Sequence, residues 1–208
     1  MKRMLKGFFL CLMVLLAGCQ NAAPQPGTDP GTQDIPAYFG SPYVEVNEGI
    51  PAFSDVDLST TAYKEFEGLD KFGRPVQAFA VLGPELLPDD DRQDISMIYP
   101  PGWDQKSYDF IEGGKLYNRC HLLAWSLTGE NANPQNLITG TRYMNTEGML
   151  PFEMEVLDYI RQTGNHVLYR VTPEYTGDNL LADGVQMEAW SVEDDGRGIK
   201  FNVYCYNV

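Results

Sequence analysis

YNRCHLLAWSLTGENANPQNLITGTRYMN, residues 117–145, is the stretch on which the reading of this chain turns. It contains His121, one of only two histidines in 208 residues, and is then dense in asparagine at Asn133, Asn136 and Asn145. The next segment, MLPFEMEVLDYIRQTG (149–164), has helical spacing at Phe152, Val156, Tyr159 and Ile160. Pro151 stands where a first helical turn tolerates it, and Gly164 ends the run. Glu153 therefore rides on a helix that begins just after Asn145.

Taken alone, a histidine beside Leu-Leu-Ala is more often a hydrogen-bonded core residue than a catalyst. Asparagine is equally at home in turns and caps. The combination points further. A neutral imidazole accepts protons near pH 7, because its ordinary pKa is about 6.5. Amide and carboxylate oxygens are hard donors that suit Mg²⁺, an ion that keeps several of its waters. A base, a hard cation and a nearby arginine are what hydrolysis of a phosphodiester needs. His166, the other histidine, opens an apparent strand with no polar cluster beside it and reads as structural.

The rest of the chain reads as strands with few helices. PVQAFAVLG (75–83) alternates between Pro and Gly boundaries, and NHVLYRVTP (165–173) places Val167, Tyr169 and Val171 on one face. GVQMEAWSVE (184–193) and GIKFNVYCYN (198–207) flank the turn-rich DDGRG and predict an antiparallel hairpin. The expected class is α+β with a mostly antiparallel sheet.

LDKFGRPVQAFAVLG, the 117–145 stretch, GMLPFEMEVLDYI and HVLYRVTP occur in one order. From about residue 69 to 207 the chain resembles the DNA/RNA non-specific endonuclease family, the ββα-metal or His-Me finger nucleases. The likeness is to the secreted DNases and DNA-entry nucleases of Gram-positive bacteria in particular. That family carries Asp-Arg-Gly-His where this chain has Asn118-Arg119-Cys120-His121. The resemblance implies an embedded ββα-metal finger, His121 as general base and Asn145 as the metal-binding asparagine. It gives Asn136 a bracing role and makes Glu153 the carboxylate that holds a metal water. Asn118 and Arg119 complete the catalytic motif. Arg142 and Arg74 become the candidate phosphate contacts. The implied cofactor is Mg²⁺, with Mn²⁺ as a substitute. The implied substrate is DNA, with RNA as a second candidate, cut to 5′-phosphate and 3′-hydroxyl ends. No protein partner is inferred. The cysteine at position 120 departs from the family's glycine, which tolerates backbone angles that cysteine does not.

The N-terminus suggests export. Basic Lys2, Arg3 and Lys6 precede an apolar run from Phe8 to Leu16, then Leu16-Ala17-Gly18-Cys19. This is a secretory pattern, too short for a bilayer span of about 20 residues. The last four residues resemble a bacterial lipobox, which implies cleavage after residue 18 and a lipid on Cys19. Residues 19–35 are rich in Pro, Gly and Gln and read as a flexible tether. Residues 36–208 then form one domain, exported and held on the outward face of a cell membrane. Of four cysteines, only Cys120 and Cys205 belong to that domain. They are either a disulfide, which export permits, or two buried thiols.

Net charge tempers the nucleic-acid reading. It is −14 for the chain, and loss of the three leader cations takes it to −17. A nucleic-acid binder ordinarily carries a basic footprint. The reading that survives is a local positive site on an acidic body. Its rival is a catalytically inactive surface lipoprotein of the same fold that binds nucleic acid or glycan.

Overall fold

The computed structural model describes residues 35–54 and 57–208. The leader, Cys19 and the tether up to residue 34 lie outside the described residues. The strands are β1 (Tyr43–Glu45), β2 (Tyr63–Phe66), β3 (Ala78–Leu82), β4 (Tyr117–His121), β5 (Leu137–Thr141), β6 (Val167–Glu174), β7 (Gly184–Ser191) and β8 (Lys200–Tyr206). The helices are α1 (Trp125–Thr128) and α2 (Leu150–Thr163). Six strands form one antiparallel sheet in the order β1-β8-β7-β6-β3-β2. β4 and β5 pair separately, with His121 opposite Leu137.

Alternation explains the sheet. In β6, Val167, Tyr169 and Val171 enter the main core, while Leu168 joins Phe79 and Val81 on the opposite face. β3 is buried along its whole length because both of its faces are covered. The expected hairpin is present, with Trp190 opposite Lys200. Its turn demands glycine at 196, where φ is +70° and a Cβ would stand 2.7 Å from the Trp190 ring.

α2 follows from its sequence. Pro151 lies in its first turn, and Gly164 closes it at φ +72° with its N–H bonded to the Ile160 carbonyl at 2.8 Å. Val156, Leu157 and Ile160 bury into the main core, each worth about 1.5–3 kcal/mol. A π-helical turn, Met144–Met149, precedes α2. The periodicity did not foresee it, and such turns often mark functional sites.

The β4–β5 hairpin is tied into the same core through Cys120, Leu122, Leu123, Leu127 and Ile138. Hairpin, α1, π-turn and α2 therefore form a rigid mount for the residues between 117 and 153. Among the described residues, no helix is long and apolar enough to cross a membrane.

Candidate active site

β4 ends at His121, and the chain then turns into α1. That turn is braced by Asn136, which is fully buried. Its side-chain oxygen accepts from the Leu123 N–H at 2.8 Å, and its amide donates to the Leu123 carbonyl at 2.9 Å. Its own carbonyl accepts from the Leu122 N–H at 2.9 Å. Asn136→Ala leaves both Leu123 backbone groups buried and unmet. The expected cost is about 2–4 kcal/mol, read as a fall in thermal midpoint of about 2–4 °C per kcal/mol. An unchanged midpoint would contradict the bracing role.

The imidazole of His121 is buried, with 6% exposure. Its Nε2 lies 2.8 Å from the carbonyl oxygen of Asn131. A carbonyl only accepts, so Nε2 carries the proton and Nδ1 keeps a lone pair. Burial lowers the pKa below the ordinary histidine value. The Asn131 bond opposes that shift, the Arg92 charge adds to it and Glu130 opposes it. The ring is therefore neutral at pH 7.

A cleft of about 930 Å³ opens beside it. His121, Asn118, Arg119, Arg142, Asn145 and Glu153 all line it. Asn145 lies in the π-helical turn and Glu153 in the first turn of α2. Burial pushes the Glu153 carboxyl up to about 7, and the Arg92 charge pulls the other way. Asn145 and Glu153 supply hard oxygen donors. No group of three or more His, Cys, Asp or Glu that could hold a metal occurs among the described residues. One amide and one carboxylate fit a hard cation that retains most of its water, and do not fit a closed zinc site. A carboxyl so desolvated is also one whose charge a cation would stabilise.

The arginines divide. Arg142 is one-third exposed in the cleft and pairs with Glu112 at 3.2 Å. Arg119 lines the cleft, but its guanidinium donates to the carbonyls of Ile98 at 2.5 Å and Ser96 at 2.6 Å, so it also holds the 96–98 loop. Arg74 is a correction to the sequence reading. It is buried, lines no part of the cleft and pairs with Asp70 at 2.7 Å. It also donates to the carbonyls of Gly177 and Asn179, and lies between the rings of Phe72 and Tyr175. Its donors are spent on holding loops together. The sequence reading missed Arg92, an exposed cation of the cleft. Its surroundings, PDDDRQD, hid it as part of an acidic cluster.

Cys120 fits without backbone strain. It lies in β4 opposite Ile138 and is absent from the positive-φ positions. Its sulfur fills the space over Gly140, where an added Cβ would meet it. Cys120 and Cys205 are both free and buried, and burial raises both thiols well above the ordinary cysteine range. Native protein treated with iodoacetamide should leave both unmodified, and unfolded protein should label both. A disulfide in mass spectra of the unreduced protein would contradict this.

His166 stands outside the cleft. Its Nδ1 meets Glu193 at 2.6 Å, and its Nε2 lies 3.3 Å from Glu85.

Known nucleases are similar to this chain in sequence or in shape. A deoxyribonuclease of Streptococcus dysgalactiae subsp. equisimilis is 39% identical over 88 residues, which is 38% of this chain and only 27% of that protein. The crystal structure of NucA from Streptococcus agalactiae with a bound magnesium ion is similar at a TM-score of 0.72 and 27% identity, covering 84% of this chain and 83% of that one. The Sda1 nuclease, solved with a bound zinc ion, shares the fold at a TM-score of 0.65 and 24% identity, covering 81% of this chain and 90% of that one. The DNA/RNA non-specific endonuclease model matches residues 56–193, from before β2 to beyond β7, and the chain belongs to that family.

Proposed function

We propose that the protein is an exported, surface-tethered endonuclease that hydrolyses DNA, and RNA as a second substrate, without sequence preference. The observation that carries the reading is the state of His121. Its Nε2–H is held by the Asn131 carbonyl, and its Nδ1 is left as the acceptor of a neutral ring in a cleft shared with Asn145 and Glu153.

His121 Nδ1 takes a proton from a water molecule as that water's oxygen attacks phosphorus. The bond from phosphorus to the 3′-oxygen breaks on the opposite side, and the departing oxygen takes a proton from solvent water, which leaves a 5′-phosphate and a 3′-hydroxyl. Arg142 places positive charge against the phosphoryl oxygens. Arg119 fixes the loop beside the motif, and Asn118 orients the substrate from the cleft wall. Asn145 and Glu153 would hold Mg²⁺ or Mn²⁺, which supplies charge stabilisation to the phosphoryl and departing oxygens. Export and lipid anchoring at Cys19 rest on the N-terminal pattern alone.

The test is plasmid DNA incubated with the purified protein and Mg²⁺, with and without EDTA, followed by end analysis. Nicked and linear products whose 5′ ends carry phosphate, formed only with cation, support the reading. Plasmid that stays intact while bound would point to the inactive binding protein instead. Ends with 5′-hydroxyls would contradict the direction of cleavage.

A further inference from the structure

The segment joining β3 to β4 contains no helix or strand between residues 90 and 106, yet it is not loosely held. Arg119 donates to the carbonyls of Ser96 and Ile98. Further along, the Gln105 side chain pairs with both backbone groups of Tyr117, accepting from its N–H at 2.9 Å and donating to its carbonyl at 2.7 Å. Between these pins stand Tyr99 and Trp103, and both line the cleft. Tyr99 is 68% exposed. The Arg119 guanidinium lies 4.0 Å from the centre of the Trp103 ring and 5.5 Å from that of Tyr99.

An exposed tyrosine ring in the cleft wall, beside a half-buried tryptophan, is not explained by hydrolysis. A phosphodiester needs cations, and Arg92, Lys115 and Arg142 line the same cleft. A flat ring offers something else, a face for another flat π-system. Bases inside a duplex already stack on one another and present no face. An unpaired base does.

We propose that Tyr99, with the Arg119 guanidinium over its ring, is a stacking platform for an unpaired base beside the phosphate being cut. The cleft would then hold a single strand more tightly than a duplex, while still cutting duplex DNA at its phosphates. Its place beside the cut phosphate rests on the endonuclease reading, whereas base stacking itself does not.

The experiment measures anisotropy of a short fluorescent oligothymidylate and of a fluorescent hairpin duplex. Purified full-length protein is used at low salt in EDTA, so nothing is cleaved. The parent should bind the single strand more tightly than the duplex. Tyr99→Ala should weaken single-strand binding by about 5–150-fold, the fold-change that loss of one stacked base gives. Tyr99→Phe should keep the parental affinity, and duplex binding should be equal in all three. An oligonucleotide with abasic sites should weaken binding to the parent but not further weaken binding to Tyr99→Ala. Tyr99→Ala that binds single strands as the parent does, or that weakens both forms alike, would overturn the proposal. Base-dependent binding in a protein that cuts nothing with Mg²⁺ would keep the platform and remove the endonuclease reading.

Discussion

His121→Ala is expected to fold and to lose about 10²–10⁴ in cleavage rate at saturating cation, the usual worth of a positioned general base. The loss should lie in the chemical step, because the cations of the cleft and the oxygens of Asn145 and Glu153 are untouched. The pH profile of the parent carries the same information. Only the neutral ring accepts a proton, so the rate should fall as pH falls through the His121 pKa, by tenfold per unit. Burial lowers that pKa below the ordinary 6.5, so the profile should stay level from neutrality to below that value before it declines. With Glu153 holding the proposed cation at saturation, it is expected to stay ionised, which leaves this limb to His121. In His121→Ala the limb should vanish along with most of the rate. Rates measured against pH for both proteins check this.

Asn145→Ala should fail in a different way. Removing an oxygen donor weakens cation affinity by about 10–100-fold or more, the range seen when a metal site loses a supporting group. The concentration of Mg²⁺ needed for half-maximal rate should rise accordingly, and excess Mg²⁺ should restore part of the activity. Excess Mg²⁺ cannot restore His121→Ala, because that protein lacks a proton acceptor. Glu153→Gln should move in the same direction as Asn145→Ala. A rate-against-Mg²⁺ curve for Asn145→Ala that has the parental midpoint and a lowered plateau would show that Asn145 is not a cation ligand.

Much of the sheet was legible. β6, the β7–β8 hairpin and α2 follow from alternation, turn residues and helical spacing, because each has one dominant face toward the main core. β4 and β5 were not legible by pattern. β5 is buried throughout, and β4 turns partly toward the cleft, so neither alternates cleanly. The resemblance to a known family supplied that hairpin. His121, Asn145 and Glu153 were nameable because they fall close together in sequence and the hairpin, π-turn and α2 carry them into one cleft. The resemblance offered Arg74 as a phosphate contact. The carbonyls that occupy it, those of Gly177 and Asn179, lie more than 100 residues away, beyond any local reading. Arg92, Tyr99 and Trp103 belong to a segment with no periodicity. Only their placement by Arg119 and Gln105 shows what they share.

The most direct test of the account sets its two histidines side by side. Plasmid cleavage is measured at saturating Mg²⁺ for the parent, His121→Ala and His166→Ala, with thermal unfolding of each. His166 is buried between Glu85 and Glu193 and outside the cleft, so His166→Ala should lower the thermal midpoint and leave the rate of the folded protein near parental. His121→Ala should lose about 10²–10⁴ in rate while still folded. Near-parental cleavage by His121→Ala, with activity abolished in a folded His166→Ala, would contradict the assignment of the base and with it the site.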